Sequence, residues 1–208
     1  MQNITAEILA HELDSAALLD PGLRRLVDAL GYPEPRPRSP GFATLLRVIV
    51  SQQLSTTVAA VIWQRLEILC HGHVTWRKIL NRSSDQLGSC GLSRQKVEYT
   101  HGLAQMIRQK TLDLEAMGRL DAESAMLELV KVRGIGRWSA EIYAMLALRH
   151  DDIFPAGDLA LQVAVQRYES LSKRPGIKET AMLAHKWSPH RTSVALLMWK
   201  YYGATTLD

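Results

Sequence analysis

The chain has 208 residues, of which 47% are hydrophobic, and it is mildly basic with a formal net charge of +4. This length allows one domain or two small helical lobes that share a core. Two cysteines, Cys70 and Cys90, argue against a disulfide framework or a four-cysteine cluster, and no apolar run reaches the length of a membrane span. The positive charge favours a polyanionic partner but does not identify one.

Helical periodicity predominates along the chain, and no segment shows sustained strand alternation. Near the N-terminus we predict short helices from Ile4 to Leu13 and from Gly22 to Leu30. Residues 31–41 contain four prolines and are expected to form an extended strap. The fold class predicted from these patterns is all-α.

A polar turn separates two apolar helices in the next part of the chain. Residues 42–50 are apolar, and Ser-Gln-Gln-Leu-Ser follows at residues 51–55. Ser55 or Thr56 can then cap the next helix, which runs to Leu69. Because both flanking helices are apolar, the turn is expected at a surface corner.

A second helix start is predicted at residues 91–96, Gly-Leu-Ser-Arg-Gln-Lys. Ser93 is the expected cap of a long helix that reaches about Lys110. Arg94 and Lys96 would then stand beside the first, unpaired amides of that helix. A capping role and a contact with an anion are both open for this segment.

Two glycines separate a pair of apolar helices further along. The first helix is predicted from Ala122 to Val132, Arg-Gly-Ile-Gly-Arg follows at residues 133–137, and the second runs from Trp138 to Arg149. The glycines indicate a turn too tight for a side chain, with Ile135 inserted between the helices. Unpaired amides at the start of the second helix, together with the surrounding arginines, predict a site for one phosphate.

A helix-breaking loop follows at residues 151–158. Pro155 and Gly157 interrupt the helical pattern, and Asp158 is placed to cap the helix that ends near Tyr168. The last helix is predicted from His190 to Tyr202. Asp158 could be only an N-cap, or it could also perform chemistry.

Hairpin, Gly/Pro-rich loop and aspartate in this order resemble the helix-hairpin-helix DNA glycosylase superfamily, and within it the 3-methyladenine DNA glycosylase II branch. The motifs lie at residues 51–55, 91–96, 134–140 and 155–158. The resemblance extends from Phe42 onward and implies a compact form without the additional α/β domain of some members. It implies a single domain over residues 1–208, with two helical lobes that flank a DNA-binding cleft. The central lobe would span about 42–150, with the hairpin at 129–149, and the second lobe about 1–41 and 151–208.

The same resemblance implies roles for individual residues. It makes Asp158 catalytic and places Gln53, with Leu54 as the alternative, in the DNA stack after the base leaves it. The residues implied at the base pocket are Trp138, Trp199 and Ile142. The residues implied at the DNA backbone are Arg133, Gly134, Ile135, Gly136, Arg137, Arg94 and Lys96. Main-chain carbonyls of Val130, Val132 and Ile135 are implied as ligands of a structural Na⁺ or K⁺.

The choice of reaction depends on one position in the hairpin. Family members with lyase activity have a lysine two residues after the second glycine, to form a Schiff base with the sugar. Trp138 occupies that position here, and the guanidinium of Arg137 stays protonated. We therefore expect a monofunctional enzyme, with no catalytic cofactor and no iron–sulfur cluster.

The function implied is excision of alkylated purines, such as 3-methyladenine and 7-methylguanine, from double-stranded DNA. The N-glycosidic bond would be hydrolysed after base flipping, which begins base excision repair. We expect a monomer with no membrane partner, cytoplasmic and nucleoid-associated in a bacterium or nuclear in a eukaryote. Three alternatives are a non-catalytic DNA-binding module, a glycosylase for oxidised or deaminated bases, and a helical interaction protein that binds no nucleic acid.

Overall fold

Helices account for all the regular structure in the computed structural model, which describes residues 5–204. No strand occurs in this range, so the predicted all-α class is confirmed. The α-helices are α1 Ala6–Leu19, α2 Pro21–Leu30, α3 Phe42–Ser51, α4 Thr56–Leu69, α5 Trp76–Leu80, α6 Ser84–Ser89, α7 Arg94–Arg108, α8 Leu114–Met117, α9 Ala122–Leu129, α10 Arg137–Leu146, α11 Leu159–Tyr168, α12 Ile177–Ala184 and α13 Arg191–Ala204, with a 3₁₀ turn at His185–Trp187. Within the described range, none of these helices is both long and apolar enough to span a bilayer.

The helices belong to two compact units. One is built from the described residues of 1–37 and 144–208, and the other from residues 38–143. The boundary falls inside α10, between Tyr143 and Ala144. The sequence predicts lobe boundaries at about residues 42 and 150, and this division into lobes stays a prediction.

In the unit of residues 38–143, the core is built around α3. Leu45, Leu46 and Ile49 are fully buried, and α3 packs against α4 and α7. Helix α7 in turn packs against α5 and α6. The strap that precedes α3 is anchored by a hydrogen bond from the Gly41 amide to the Tyr143 hydroxyl, at 2.8 Å. Burial raises the pKa of this hydroxyl.

In the other unit, α13 is the central helix. Residues 192–198 on it are all buried, and it lies against α1, α2 and α11. The start of α13 is fixed by Arg191, which donates to both carboxylate oxygens of Asp152 at 2.6 and 2.9 Å. Because α11 begins directly after Asp158, the α11–α13 contact places that residue against the central helix.

Several helix ends differ from the sequence prediction. Helix α1 continues to Leu19 rather than Leu13, because no helix breaker occurs before Asp20 and Pro21; its predicted start at Ile4 lies outside the described residues. Helix α10 ends at Leu146, not at Arg149. Arg149 adopts a left-handed backbone with φ of 62°, and the next amide turns back to the Ala144 carbonyl at 3.2 Å.

Candidate active site and nucleic-acid interface

The hairpin between α9 and α10 requires glycine at one position. Gly134 has φ of 92°, and a Cβ added there would lie 2.3 Å from Cδ2 of the Tyr99 ring. Ile135 is 4% exposed and its amide donates to the Val132 carbonyl at 2.9 Å, so it inserts inward as predicted. Helix α9 ends at Leu129, three residues earlier than predicted, because residues 130–136 form this turn.

The second glycine of the hairpin has no steric requirement from the protein. A Cβ added at Gly136 would meet nothing within 4 Å, and its backbone is outside the left-handed region. The expectation that both glycines are needed for a tight turn is therefore wrong for Gly136. Its exposed backbone leaves open space through which another molecule can approach the first turn of α10.

Two arginines near the hairpin are well exposed. Arg94 at the start of α7 has 97% of its side chain accessible and lies 3.8 Å from Glu98, while Arg133 lies 3.4 Å from the same carboxylate. Solvent screens such surface pairs, and each contributes little to stability. Both guanidinium groups are therefore available to a phosphate, as the sequence prediction requires of them.

Arg137 is held by two carboxylates. Its guanidinium donates to Glu123 at 2.7 and 2.9 Å and to Glu141 at 2.9 Å. The hydrogen bond with Glu123 is the main cause that raises the pKa of Arg137, whereas burial raises that of Glu141. These carboxylates compete with a phosphate for the guanidinium, so a direct DNA contact by this side chain stays a prediction.

Lys96 points to the protein backbone. Its ammonium donates to the carbonyls of Val50 and Gln52, each at 2.7 Å, and burial lowers its pKa. These carbonyls stand at the C-terminal end of α3, where helix carbonyls have no partner in the helix. In this position Lys96 caps α3, and its predicted contact with the DNA backbone would require it to leave both carbonyls.

Gln52 was not singled out by the sequence prediction, although it lies in the Gln-Gln turn. Its Nε2 donates to the Gly134 carbonyl and to the Ser139 hydroxyl, both at 2.8 Å. The turn after α3 is thereby joined to the hairpin within one unit. The sequence shows a second glutamine beside the predicted wedge, but it does not show what this glutamine binds, because its partners are 82 and 87 residues away.

The candidate wedge residues are both exposed in this turn. Gln53 has a left-handed backbone with φ of 56°, a conformation that residues other than glycine rarely adopt. Leu54 follows with 39% of its surface accessible, and Ser55 caps α4 by accepting from the Val58 amide at 3.3 Å. The choice between Gln53 and Leu54 stays open.

Asp158 lies half-buried at the N-terminus of α11. Its Oδ1 accepts hydrogen bonds from the amides of Ala160 at 3.0 Å and Leu161 at 3.2 Å, which is the predicted N-cap. The same oxygen accepts from Nε1 of Trp199 on α13 at 3.2 Å. Hydrogen bonds from its own helix and from α13 thus orient a carboxylate that remains partly accessible to solvent.

The three residues predicted at the base pocket differ in exposure. Trp138 on the first turn of α10 and Trp199 are both half-buried. Ile142 is only 8% exposed and belongs to the apolar core. Ile142 packs mainly against other protein atoms, and its place at the base pocket stays a prediction.

Of the three residues predicted to bind a monovalent cation through their carbonyl oxygens, Val130 and Val132 follow the C-terminal end of α9, and Ile135 lies in the turn before α10. Val130 is the C-cap of α9, and the Val132 carbonyl already accepts from the Ile135 amide. A carbonyl oxygen has a second lone pair, and the C-terminal end of a helix dipole favours a cation. The donor chemistry at Val130, Val132 and Ile135 therefore fits Na⁺ or K⁺.

The two cysteines are buried, free thiols, and burial raises the pKa of each. Across residues 5–204, no group of three or more His, Cys, Asp or Glu side chains is arranged to hold a metal ion.

Comparison with protein families decides the question of relationship. Residues 46–190 match the model described as HhH-GPD superfamily base excision DNA repair protein. The chain belongs to this superfamily. The family predicted from the hairpin and the Pro-Ala-Gly-Asp loop is thus confirmed.

Among superfamily members, the chain is similar to two proteins of Schizosaccharomyces pombe. It is 27% identical over 170 residues to alkylbase DNA glycosidase-like protein mag2, covering 80% of each chain. It is also 27% identical over 188 residues to DNA-3-methyladenine glycosylase 1, covering 88% of this chain and 82% of the relative. The solved structure of the S. pombe 3-methyladenine DNA glycosylase Mag1 in complex with abasic DNA matches at a TM-score of 0.86 and 26% identity, over 91% of this chain and 95% of that one.

Proposed function

We propose that this protein is a monofunctional DNA glycosylase that excises alkylated purines, among them 3-methyladenine and 7-methylguanine. The single observation that supports this most is Asp158, a partly accessible carboxylate oriented by Trp199 and by two amides of α11. The names of the relatives, which describe alkylbase and 3-methyladenine glycosylases, support the substrate class.

In the proposed reaction, Asp158 acts on the sugar. Cleavage of an N-glycosidic bond builds positive charge on the sugar ring as the base departs. A carboxylate beside C1′ stabilises that charge, or it orients and deprotonates the attacking water. A single carboxylate is sufficient when the base is an alkylated purine. The purine ring already has a positive charge, so the base leaves without being protonated by an acid.

The product would be an intact abasic site. Trp138 occupies the position where lyase members have lysine, so no amine is offered there for a Schiff base. An aromatic side chain at this place instead favours an electron-poor base, through stacking and a cation–π term of about 0.5–2 kcal/mol. We assign the same role to Trp199, whose indole is also half-buried.

Base flipping requires both a grip on the backbone and a residue to fill the gap. The open backbone at Gly136, with the exposed guanidinium groups of Arg133 and Arg94, is the proposed grip on phosphates. Gln53 or Leu54 would enter the stack in place of the base. Extrusion costs a few kcal/mol, less for a damaged base, which contributes to selection.

A monovalent cation held by the carbonyls of Val130, Val132 and Ile135 would link the hairpin to a phosphate. It would add positive charge at the backbone and would take no part in bond cleavage. We further propose that the protein acts on double-stranded DNA as a monomer, in the bacterial nucleoid or the eukaryotic nucleus, without a catalytic cofactor.

The test is a glycosylase assay on methylated duplex DNA, with released bases separated and identified. Release of 3-methyladenine and 7-methylguanine, with strands that break only after alkaline or heat treatment, is expected. Release of 8-oxoguanine with direct nicking, and none of the methylated purines, would contradict both the substrate class and the monofunctional mechanism. DNA binding with no released base would indicate the non-catalytic module.

A further inference from the structure

Lys96 connects the start of α7 to the end of α3. Its ammonium lies 2.7 Å from the Val50 carbonyl and 2.7 Å from the Gln52 carbonyl. Hydrogen bonds from an ionised donor are roughly twice as strong as neutral ones. The last turn of α3 is therefore fixed by a charged side chain from α7, which is 46 residues from Val50 and 44 residues from Gln52 in the sequence.

Gln52 continues the connection to the hairpin. Its main-chain carbonyl accepts from Lys96, and its side-chain amide donates to the Gly134 carbonyl and to the Ser139 hydroxyl, both at 2.8 Å. Lys96, Gln52 and the hairpin thus form one continuous set of hydrogen bonds inside the unit of residues 38–143.

The next residue after Gln52 is the candidate wedge. Gln53 has φ of 56°, in the left-handed region, and its side chain is exposed. A non-glycine residue in this conformation is strained and persists only when its surroundings fix it. The hydrogen bonds on both sides of Gln52 provide that constraint directly before the strained residue.

We propose that Lys96 is a positioning residue for base extrusion, which acts through Gln52 to fix the Gln53–Leu54 turn at a set distance from the hairpin. The inference rests on the proposed function, because it assigns the turn to the DNA stack and the hairpin to the backbone. Both must engage one duplex at the same time, so any freedom in their spacing reduces the fraction of encounters in which the base is extruded.

The chain offers a matched control for the substitution of Lys96. Lys78 also caps a helix end: its ammonium donates to the carbonyls of Cys70 and His71, at 2.7 and 3.3 Å, beyond the end of α4. Lys96→Met and Lys78→Met each remove an ammonium that bonds two carbonyls. Only the first removes it beside the candidate wedge.

The experiment compares single-turnover excision of 7-methylguanine from two duplexes, one with cytosine opposite the base and one with an abasic analogue opposite it. Removing the partner base lowers the cost of extrusion, so Lys96→Met should be slowed roughly tenfold on the paired duplex and by about twofold or less on the unpaired one. Lys78→Met should change the two rates by equal factors. Equal losses on both duplexes for Lys96→Met would overturn the proposal.

A measurement without catalysis separates this inference from the proposed function. A 2-aminopurine base beside an abasic analogue changes its fluorescence when a side chain enters the stack. Wild type and Lys78→Met should produce the change, and Lys96→Met should lose most of it while still binding DNA. If wild type releases no base but this pattern holds, the glycosylase function fails and the positioning role stands. An unchanged signal in Lys96→Met would contradict the positioning role.

Gln52→Ala gives the same test should Lys96→Met fail to fold. It breaks the connection on the hairpin side and leaves the ammonium with its backbone carbonyls. The same difference between paired and unpaired duplexes is expected, and its absence would equally overturn the proposal. Lys96→Arg keeps a charged donor. A rate on the paired duplex close to that of wild type in this variant would further support the positioning role of Lys96.

Discussion

The indole nitrogen of Trp199 lies 3.2 Å from Oδ1 of Asp158 and donates a hydrogen bond to it. The tryptophan comes from α13 and the aspartate from the N-terminus of α11, two helices that pack together in one unit. Two amides of α11, those of Ala160 and Leu161, donate to the same oxygen. The orientation of this carboxylate thus depends both on its own helix and on a residue 41 positions further along.

Trp199→Phe tests whether that bond matters for the reaction. The substitution removes the N–H donor and keeps an aromatic ring, so we expect single-turnover excision to fall roughly tenfold, by the scale of one hydrogen bond to a charged group. Trp63→Phe is the control, because it removes an indole bond to Glu67 at 2.7 Å, away from Asp158 in sequence and in the other unit. An equal loss of rate in both variants would indicate a general loss of packing.

The two hairpin glycines should respond differently to alanine. In Gly134→Ala, the new Cβ meets the Tyr99 ring at 2.3 Å and the backbone keeps φ of 92°, so the free energy of unfolding should fall by about 1–3 kcal/mol. Gly136→Ala meets no protein atom within 4 Å and should keep its stability. Its DNA affinity should still fall, because the methyl group occupies the space assigned to a phosphate. Urea denaturation and fluorescence anisotropy with duplex DNA measure the two quantities.

Salt dependence of DNA binding tests the assignment of Arg94. Neutralising one phosphate contributes about 0.9 to the slope of log K against log salt on duplex DNA. Arg94→Ala should reduce that slope by roughly one unit without changing the melting temperature, because this side chain is 97% exposed. Arg108→Ala, at the exposed C-terminal end of the same helix, should leave the slope unchanged. Equal slopes for wild type and Arg94→Ala would remove Arg94 from the interface.

The pH dependence of stability should reflect Asp152. Burial alone would raise the pKa of this carboxyl, but hydrogen bonds from Arg191 and Ser188 outweigh it and hold the pKa below its usual range. A carboxyl with a lowered folded-state pKa adds stability that is full above its unfolded pKa and is lost as pH falls through the folded value. Wild type should therefore lose stability below about pH 4, near the ordinary pKa of Asp.

Urea denaturation at pH 6 and pH 3 measures this loss. Asp152→Asn should show a smaller difference between the two pH values than wild type. Asp28→Asn, at an exposed position of α2, should keep the wild-type difference. The same pH difference in wild type and Asp152→Asn would contradict the role of the Arg191 pair.

The parts of the fold that could be predicted from sequence are those with a local signal. Ser93 and Asp158 were recognisable as helix caps because capping uses a side chain and amides two or three residues away, and both act as caps in the structure. The inward position of Ile135 followed from its place between two glycines.

Long-range contacts were missed because no local pattern encodes them. The Tyr99 ring beneath Gly134 and the partners of Gln52 come from separate helices. The family resemblance implies a DNA contact for Lys96, whereas the structure directs its ammonium to carbonyls at the end of α3. The position of Arg137 beside the hairpin likewise predicts a phosphate contact, but this position does not reveal Glu123 and Glu141 as its partners.

The central claim is that the carboxylate of Asp158 cleaves the N-glycosidic bond. Asp158→Asn is the most direct test, because asparagine is also a good N-cap and should leave α11 and overall stability intact. The measurement is single-turnover release of 7-methylguanine from duplex DNA by this variant, with DNA affinity determined in parallel. The claim predicts excision lowered by at least about a hundredfold, on the scale of a lost electrostatic group in a transition state, with affinity unchanged. Excision at the wild-type rate would contradict it.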